Sequence, residues 1–141
     1  MLSDSQRFAF SEINAAIGPA SSLPYLPLNL TYQKRSLEVL GLLDTGATVN
    51  VLPYPIGTQL GAVWDKQVTR VQLTGNLAQY EARALIVMAT VGAYNPVKLA
   101  FAWTRATNVP MILGQVNFFL EFDVCFSRAQ RLFEIRPKKV N

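Results

Sequence analysis

The segment Asp44-Thr45-Gly46-Ala47 holds the residue types that could do bond-breaking chemistry. It follows Leu42-Leu43 and precedes Thr48-Val49-Asn50-Val51-Leu52, so the carboxylate is set in an apolar stretch. Burying a carboxylate is costly unless it is paired, hydrogen-bonded or functional. Gly46 frees the backbone to turn and exposes peptide groups beside the acid. Thr45 supplies a hydroxyl that can bond backbone across an interface. The competing reading is structural: Asp-Thr-Gly between two strands also serves as a plain turn.

Composition narrows the chemistry. The 141 residues include no histidine and one cysteine, Cys125. Neither a Ser-His-Asp nor a Cys-His pair can be built within the chain. A zinc site would have to rest on carboxylates and Cys125. No intrachain disulfide can form. Acid–base work therefore falls to carboxylates, lysines or tyrosines, and neither a metal nor a cofactor is expected. The other acids, Asp4, Asp65, Asp123, Glu12, Glu38, Glu81, Glu121 and Glu134, sit in polar or turn contexts and read as solvated. Cys125, between Val124 and Phe126, reads as a buried inert thiol. Trp64, Trp103 and Tyr80 read as core or rim, and Tyr80 could also touch a ligand.

The elements that must position Asp44 read as strands. Leu26, Leu28, Leu30 and Tyr32 alternate with the period of a half-buried strand. Gln33 to Ser36 is a polar turn, and Leu37 to Leu43 a second strand that runs into Asp44. Thr48 to Leu52 is a short strand stopped by Pro53 and Pro55, with a loop or brief helical turn to Gly61. Val68 to Leu73 and Leu77 to Met88 flank Thr74-Gly75-Asn76, a hairpin signal. Val97 to Trp103 and Met111 to Leu113 are further strands. Gln115 to Phe122 suits a short helix, and Phe122 to Phe126 with Arg131 to Ile135 a last hairpin. Some eight short strands with one short C-terminal helix predict an all-β fold, a small closed β-barrel. Ser11 to Ile17 reads as a short helix. Residues 1–22 are expected to be an N-terminal arm and residues 23–141 the domain.

This order of pieces resembles the retropepsin-like aspartic proteases, the family of the retroviral proteases and their bacterial relatives. The resemblance runs from about Leu26 to Ile135. It rests on Leu42-Leu43-Asp44-Thr45-Gly46-Ala47, the Gly75-centred hairpin, and Ile112-Leu113-Gly114 leading into a helix. It implies a retropepsin-like acid-protease barrel and an aspartic endopeptidase whose catalytic residue is Asp44. Such proteolysis needs two carboxylates sharing one proton. With one Asp-Thr-Gly in the chain, the second must come from another copy, in a C2 homodimer with both Asp44 residues at the axis. Activity is then expected to peak in acid, because the working form is the mono-anion of the pair.

The resemblance also assigns supporting roles. Thr45 would bond across the axis, Gly46 would present its carbonyl to substrate backbone, and Ala47 would complete the loop. Leu73, Thr74, Gly75 and Asn76 would form a flap tip closing over a peptide. Leu42, Val109, Pro110 and Ile112 would line apolar side-chain pockets. Thr48 stands where many retroviral enzymes have an acidic residue that anchors substrate backbone, and Gly75 is the lone glycine of a flap that is glycine-rich in many relatives. The partner is thus a peptide flanked by apolar residues, with no cofactor.

The net charge of +4 and pI of about 9.5 raise nucleic acid as a rival partner. The cations are scattered, however, and only Arg136, Lys138 and Lys139 cluster. The interleaved aromatic and basic stripe of single-strand-binding barrels is missing. No nucleic-acid partner is expected, although a small basic barrel of that kind remains a rival, as does an inactive retropepsin-like dimerisation or peptide-binding module. No apolar run approaches the ~20 residues of a spanning helix, and the N-terminus does not read as a secretory signal. The expectation is a cytoplasmic protein without membrane contact.

Overall fold

The structure, a computed structural model, describes residues 2–139. In chain order the strands are β1 (Gln6–Ala9), β2 (Ser11–Glu12), β3 (Ser22–Leu23), β4 (Tyr25–Tyr32), β5 (Arg35–Leu43) and β6 (Asn50–Leu52). After helix α1 (Tyr54–Gln59) come β7 (Ala82–Thr90), β8 (Val97–Thr104) and β9 (Met111–Leu113). Helix α2 (Phe118–Glu121), β10 (Phe122–Ser127) and β11 (Leu132–Pro137) complete the chain.

Six strands close into a barrel in the order β4-β5-β9-β6-β8-β7. Period-2 alternation explains which side chains fill it. Leu26, Leu28 and Leu30 of β4 point inward, as do Leu85, Val87 and Ala89 of β7, and all are buried. They meet Leu99, Phe101 and Trp103 of β8 and Leu113 of β9. Each such apolar side chain contributes about 2 kcal/mol when fully buried. Two contacts are parallel: β5 with β9, placing Leu43 beside Leu113, and β6 with β8. Those pairings join segments distant in sequence and bring the Asp44 loop against Gly114.

A second sheet, in the order β1-β11-β10, packs Phe8 and Phe10 around Phe133. Within the segment expected as an arm, Gln6–Ala9 thus pairs with the C-terminal strand, Phe8 opposite Phe133. The helix expected at Ser11 to Ile17 does not form. β2 pairs with β3, and Ser21 Oγ accepts the Ile13 and Asn14 amides at 3.2 and 3.0 Å. Local side-chain bonds of this kind compete with helical ones.

Other expectations also need correction. Val68 to Leu73 is not a regular strand: it holds one isolated bridge, Arg70 with Arg83. The turn is a 3-10 helix at Gly75–Leu77, with Gly75 at φ +63, and the return strand starts at Ala82 rather than Leu77. The C-terminal helix is confined to Phe118–Glu121, because Val116 is held in a parallel bridge with Val49, its carbonyl accepting the Asn50 amide at 3.1 Å. Cys125 is exposed, not buried, since β10 is an edge strand. Glu134, expected in solvent, is 4% exposed and bonded to Arg7 at 3.1 Å. Among the described residues, no helix is long and apolar enough to cross a membrane.

Candidate active site

Asp44 stands just beyond the C-terminal end of β5. Leu43 before it is buried; Asp44 itself is half-buried, and Thr45 and Gly46 are exposed. The apolar flanks therefore do not bury the carboxylate within one chain. The strand ends here because, after a last bond to β9, the chain turns back on itself. The Asp44 amide donates to the Leu113 carbonyl at 3.0 Å, and the Ala47 amide to the Asp44 carbonyl at 3.1 Å, closing a turn. Asp44 Oδ1 accepts the Gly46 amide at 3.0 Å. That bond holds one carboxylate oxygen toward the loop backbone.

The loop is braced from the far end of the sequence. Gln115 Nε2 donates to the Thr45 carbonyl at 2.8 Å, and its amide reaches the Ala47 carbonyl at 2.9 Å. Gly114 lies so close that a Cβ there would sit 2.5 Å from the Val49 carbonyl oxygen. Its amide donates to Asn50 Oδ1 at 2.8 Å. Asn50 is fully buried, and its Nδ2 donates to the Ala100 carbonyl at 3.0 Å and to Asn117 Oδ1 at 3.1 Å. Sequence reading overlooked Asn50, Gln115 and Asn117. A signal existed for Asn50: an amide between Val49 and Val51 in an apolar strand must find fixed partners.

A groove of about 180 Å³ runs beside this loop. It is lined by Gly46, Ala47, Thr48 and Val49 of this loop, by Val51 and Ile112 of the barrel strands, and by Gln72, Leu73, Thr74 and Leu77 of a second loop. Every lining residue is uncharged, so the groove suits neutral or apolar groups. The fold thus brings together six of the expected site residues: Gly46, Ala47, Thr48, Leu73, Thr74 and Ile112. Gly75 and Asn76 stand at the exposed tip of the loop beyond it. Leu73 is only 5% exposed and packs with Val51, Ala82 and Ala102, so it anchors the base of the loop rather than its tip. Half-buried Leu42 on β5, and half-buried Val109 and exposed Pro110 before β9, lie outside the groove lining.

A retropepsin-like aspartic protease from Rickettsia conorii superposes on this structure with a TM-score of 0.62. The alignment covers 96% of this chain and 94% of that chain, at 12% sequence identity. The fold is retropepsin-like. EIAV protease complexed with the inhibitor HBY-793 aligns at a TM-score of 0.47 and 20% identity, over 66% of this chain and 82% of that chain. The sequence matches no protein-family model and no curated protein.

Among the described residues, no group of three or more His, Cys, Asp and Glu side chains is gathered as a metal site would need.

Proposed function

We propose that the chain is an aspartic endopeptidase that works as a homodimer, with Asp44 of each copy as the catalytic residue. The observation that carries this reading is the pairing, inside a retropepsin-like barrel, of the braced Asp44 loop with a second loop across an uncharged groove. One Asp-Thr-Gly per chain supplies half of a dyad, which is why a second copy is required. The ionised carboxylate of the pair takes a proton from water, and the resulting nucleophile attacks the scissile carbonyl. The protonated partner donates its proton to the carbonyl oxygen. Collapse of the tetrahedral intermediate returns a proton to the leaving amine and leaves the pair with one proton again. The two carboxylates titrate as one coupled unit.

The substrate lies extended between the Asp44 loop and residues 72–77, pairing by backbone hydrogen bonds like an added strand. Thr45 and Gly46 are exposed, as contacts to a partner copy and to peptide backbone require. Apolar side chains of the peptide enter the neutral groove.

The test is a mixed peptide library incubated with wild type and Asp44→Asn at several pH values, with cuts identified by mass spectrometry. Cuts flanked by apolar residues that vanish in Asp44→Asn are the expected result. Undiminished cleavage by purified Asp44→Asn would remove Asp44 from the mechanism.

A further inference from the structure

The loop opposite Asp44 leaves the barrel after Lys66 and returns at Ala82. Its two legs touch by regular backbone bonds only near the base: the Val71 amide donates to the Ala82 carbonyl at 2.9 Å, and the Ala84 amide to the Thr69 carbonyl at 2.8 Å. Beyond that point the legs are joined by Gln72 Nε2, which donates to the Leu73 and Ala78 carbonyls. The loop therefore changes character at residues 71 and 82, from a tied stem to a freer tip.

One side chain gathers the stem. Arg83 Nη1 donates to the Trp64 carbonyl at 2.9 Å, on the barrel side, and to the Gln67 carbonyl at 3.2 Å, at the root of the outgoing leg. Its Nη2 donates to Glu81 Oε1 at 3.3 Å, on the returning leg. The guanidinium stacks 4.7 Å from the Trp64 ring centroid, and only 16% of the side chain is exposed. Glu81 also meets Arg70 at 3.5 Å. Trp64 is itself fixed against the buried Trp103, their rings 5.1 Å apart. The planar fork of arginine is suited to holding several acceptors and an aromatic face together; a lysine ammonium is not.

We propose that Arg83 is a positioning residue for the groove, tying the two roots of the loop, Gln67 and Glu81, to the barrel so that opening is confined to residues 74–80. This rests on the peptidase reading for its effect on turnover, but not for its effect on loop motion. Arg83 touches no groove-lining residue through a hydrogen bond or ion pair given above, and it acts through the stem. The consequence is a stem that holds its angle while the tip admits an extended chain.

The test uses the full chain with Arg83→Met and Arg83→Lys, read by amide hydrogen exchange and by peptide hydrolysis. In Arg83→Met, exchange at the Val71 and Ala84 amides rises at least tenfold, while amides of the β4–β5 ladder keep their wild-type rates. Arg83→Lys, which keeps charge but not the fork, falls between. In hydrolysis, KM rises several-fold in Arg83→Met while kcat changes less than twofold, and Arg83→Lys partly restores KM. Unchanged exchange at Val71 and Ala84 overturns the proposal, as does equal loosening of β4–β5, which would make Arg83 a general stabiliser. A drop in kcat with unchanged KM also overturns it. Should wild type cleave no peptide, the exchange experiment still decides the stem, while the peptidase reading fails separately.

Discussion

Asn50 and Gly114 are joined by a buried hydrogen bond, Gly114 amide to Asn50 Oδ1, at 2.8 Å. The bond links β6, which follows the Asp44 loop, to the turn after β9, which braces that loop. Asn50 spends its amide group on β8 and Asn117 as well. Replacing it by Ala leaves the buried Gly114 amide without its partner and removes the bonds to the Ala100 carbonyl and to Asn117 Oδ1, which keeps the Ala100 amide. Asn50→Ala is expected to lower unfolding free energy by about 3 kcal/mol, the sum of an orphaned donor and lost bonds. Urea denaturation measures it; a loss below about 1 kcal/mol would mean that the network is dispensable.

Gly114 itself tolerates no side chain. Its Cβ would meet backbone, the Val49 and Ala47 carbonyls at 2.5 and 2.9 Å, rather than a flexible side-chain end. Gly114→Ala is expected to cost about 3 kcal/mol, at the upper end for overpacking. Gly75→Ala is the comparison: it has open space around it, and only its φ of +63 opposes the change. About 1 kcal/mol is expected there. Equal effects in thermal or urea melts would contradict the packing account.

Glu134 gives the termini a pH dependence. Foremost the Leu2 amide, 3.0 Å from Oε2, and then the Arg7 guanidinium hold its carboxyl below the ordinary value of 4.5, with burial opposing them. A depressed folded pKa means that the ionised form favours the folded state. That contribution is complete above about pH 4.5, the unfolded value, and is lost as pH falls through the lower folded value. Glu134→Gln is therefore expected to melt below wild type at pH 7 and to approach it in strong acid. Parallel melting curves across that range would refute the assignment.

The proposed dyad needs two chains. Specific activity should fall on dilution through the dimer dissociation constant, because a monomer carries half of the catalytic pair. Sedimentation and peptide hydrolysis on the same dilution series make the comparison. A constant rate per chain where only monomer sediments would rule out the shared site.

The sequence by itself determined the barrel strands and the placement of the Asp44 loop. Leu26, Leu28 and Leu30 alternate strictly, and Leu42-Leu43 leads straight into Asp44, so local period and turn chemistry were enough. Met111 to Leu113 is a strand in both readings, ending at Gly114. Tertiary structure decided everything that depends on what covers a face. Glu134 lies between Phe133 and Ile135, and alternation puts it in solvent; it is buried because the N-terminal strand pairs beside it, with Arg7 opposite, and the Leu2 amide reaches its carboxylate. Gln115 and Val116 carry helical pattern, yet Val116 is held extended beside Val49, with its carbonyl taken by the Asn50 amide. The stem at Arg83 draws Trp64 and Gln67 together by backbone carbonyls that no residue pattern marks, and Glu81 by its carboxylate. Period and propensity report which way a side chain points along its own strand. Whether another segment arrives to cover it is set by tertiary pairing, where the competing hydrogen bonds come from other segments, for Glu134 from as far as 132 positions away.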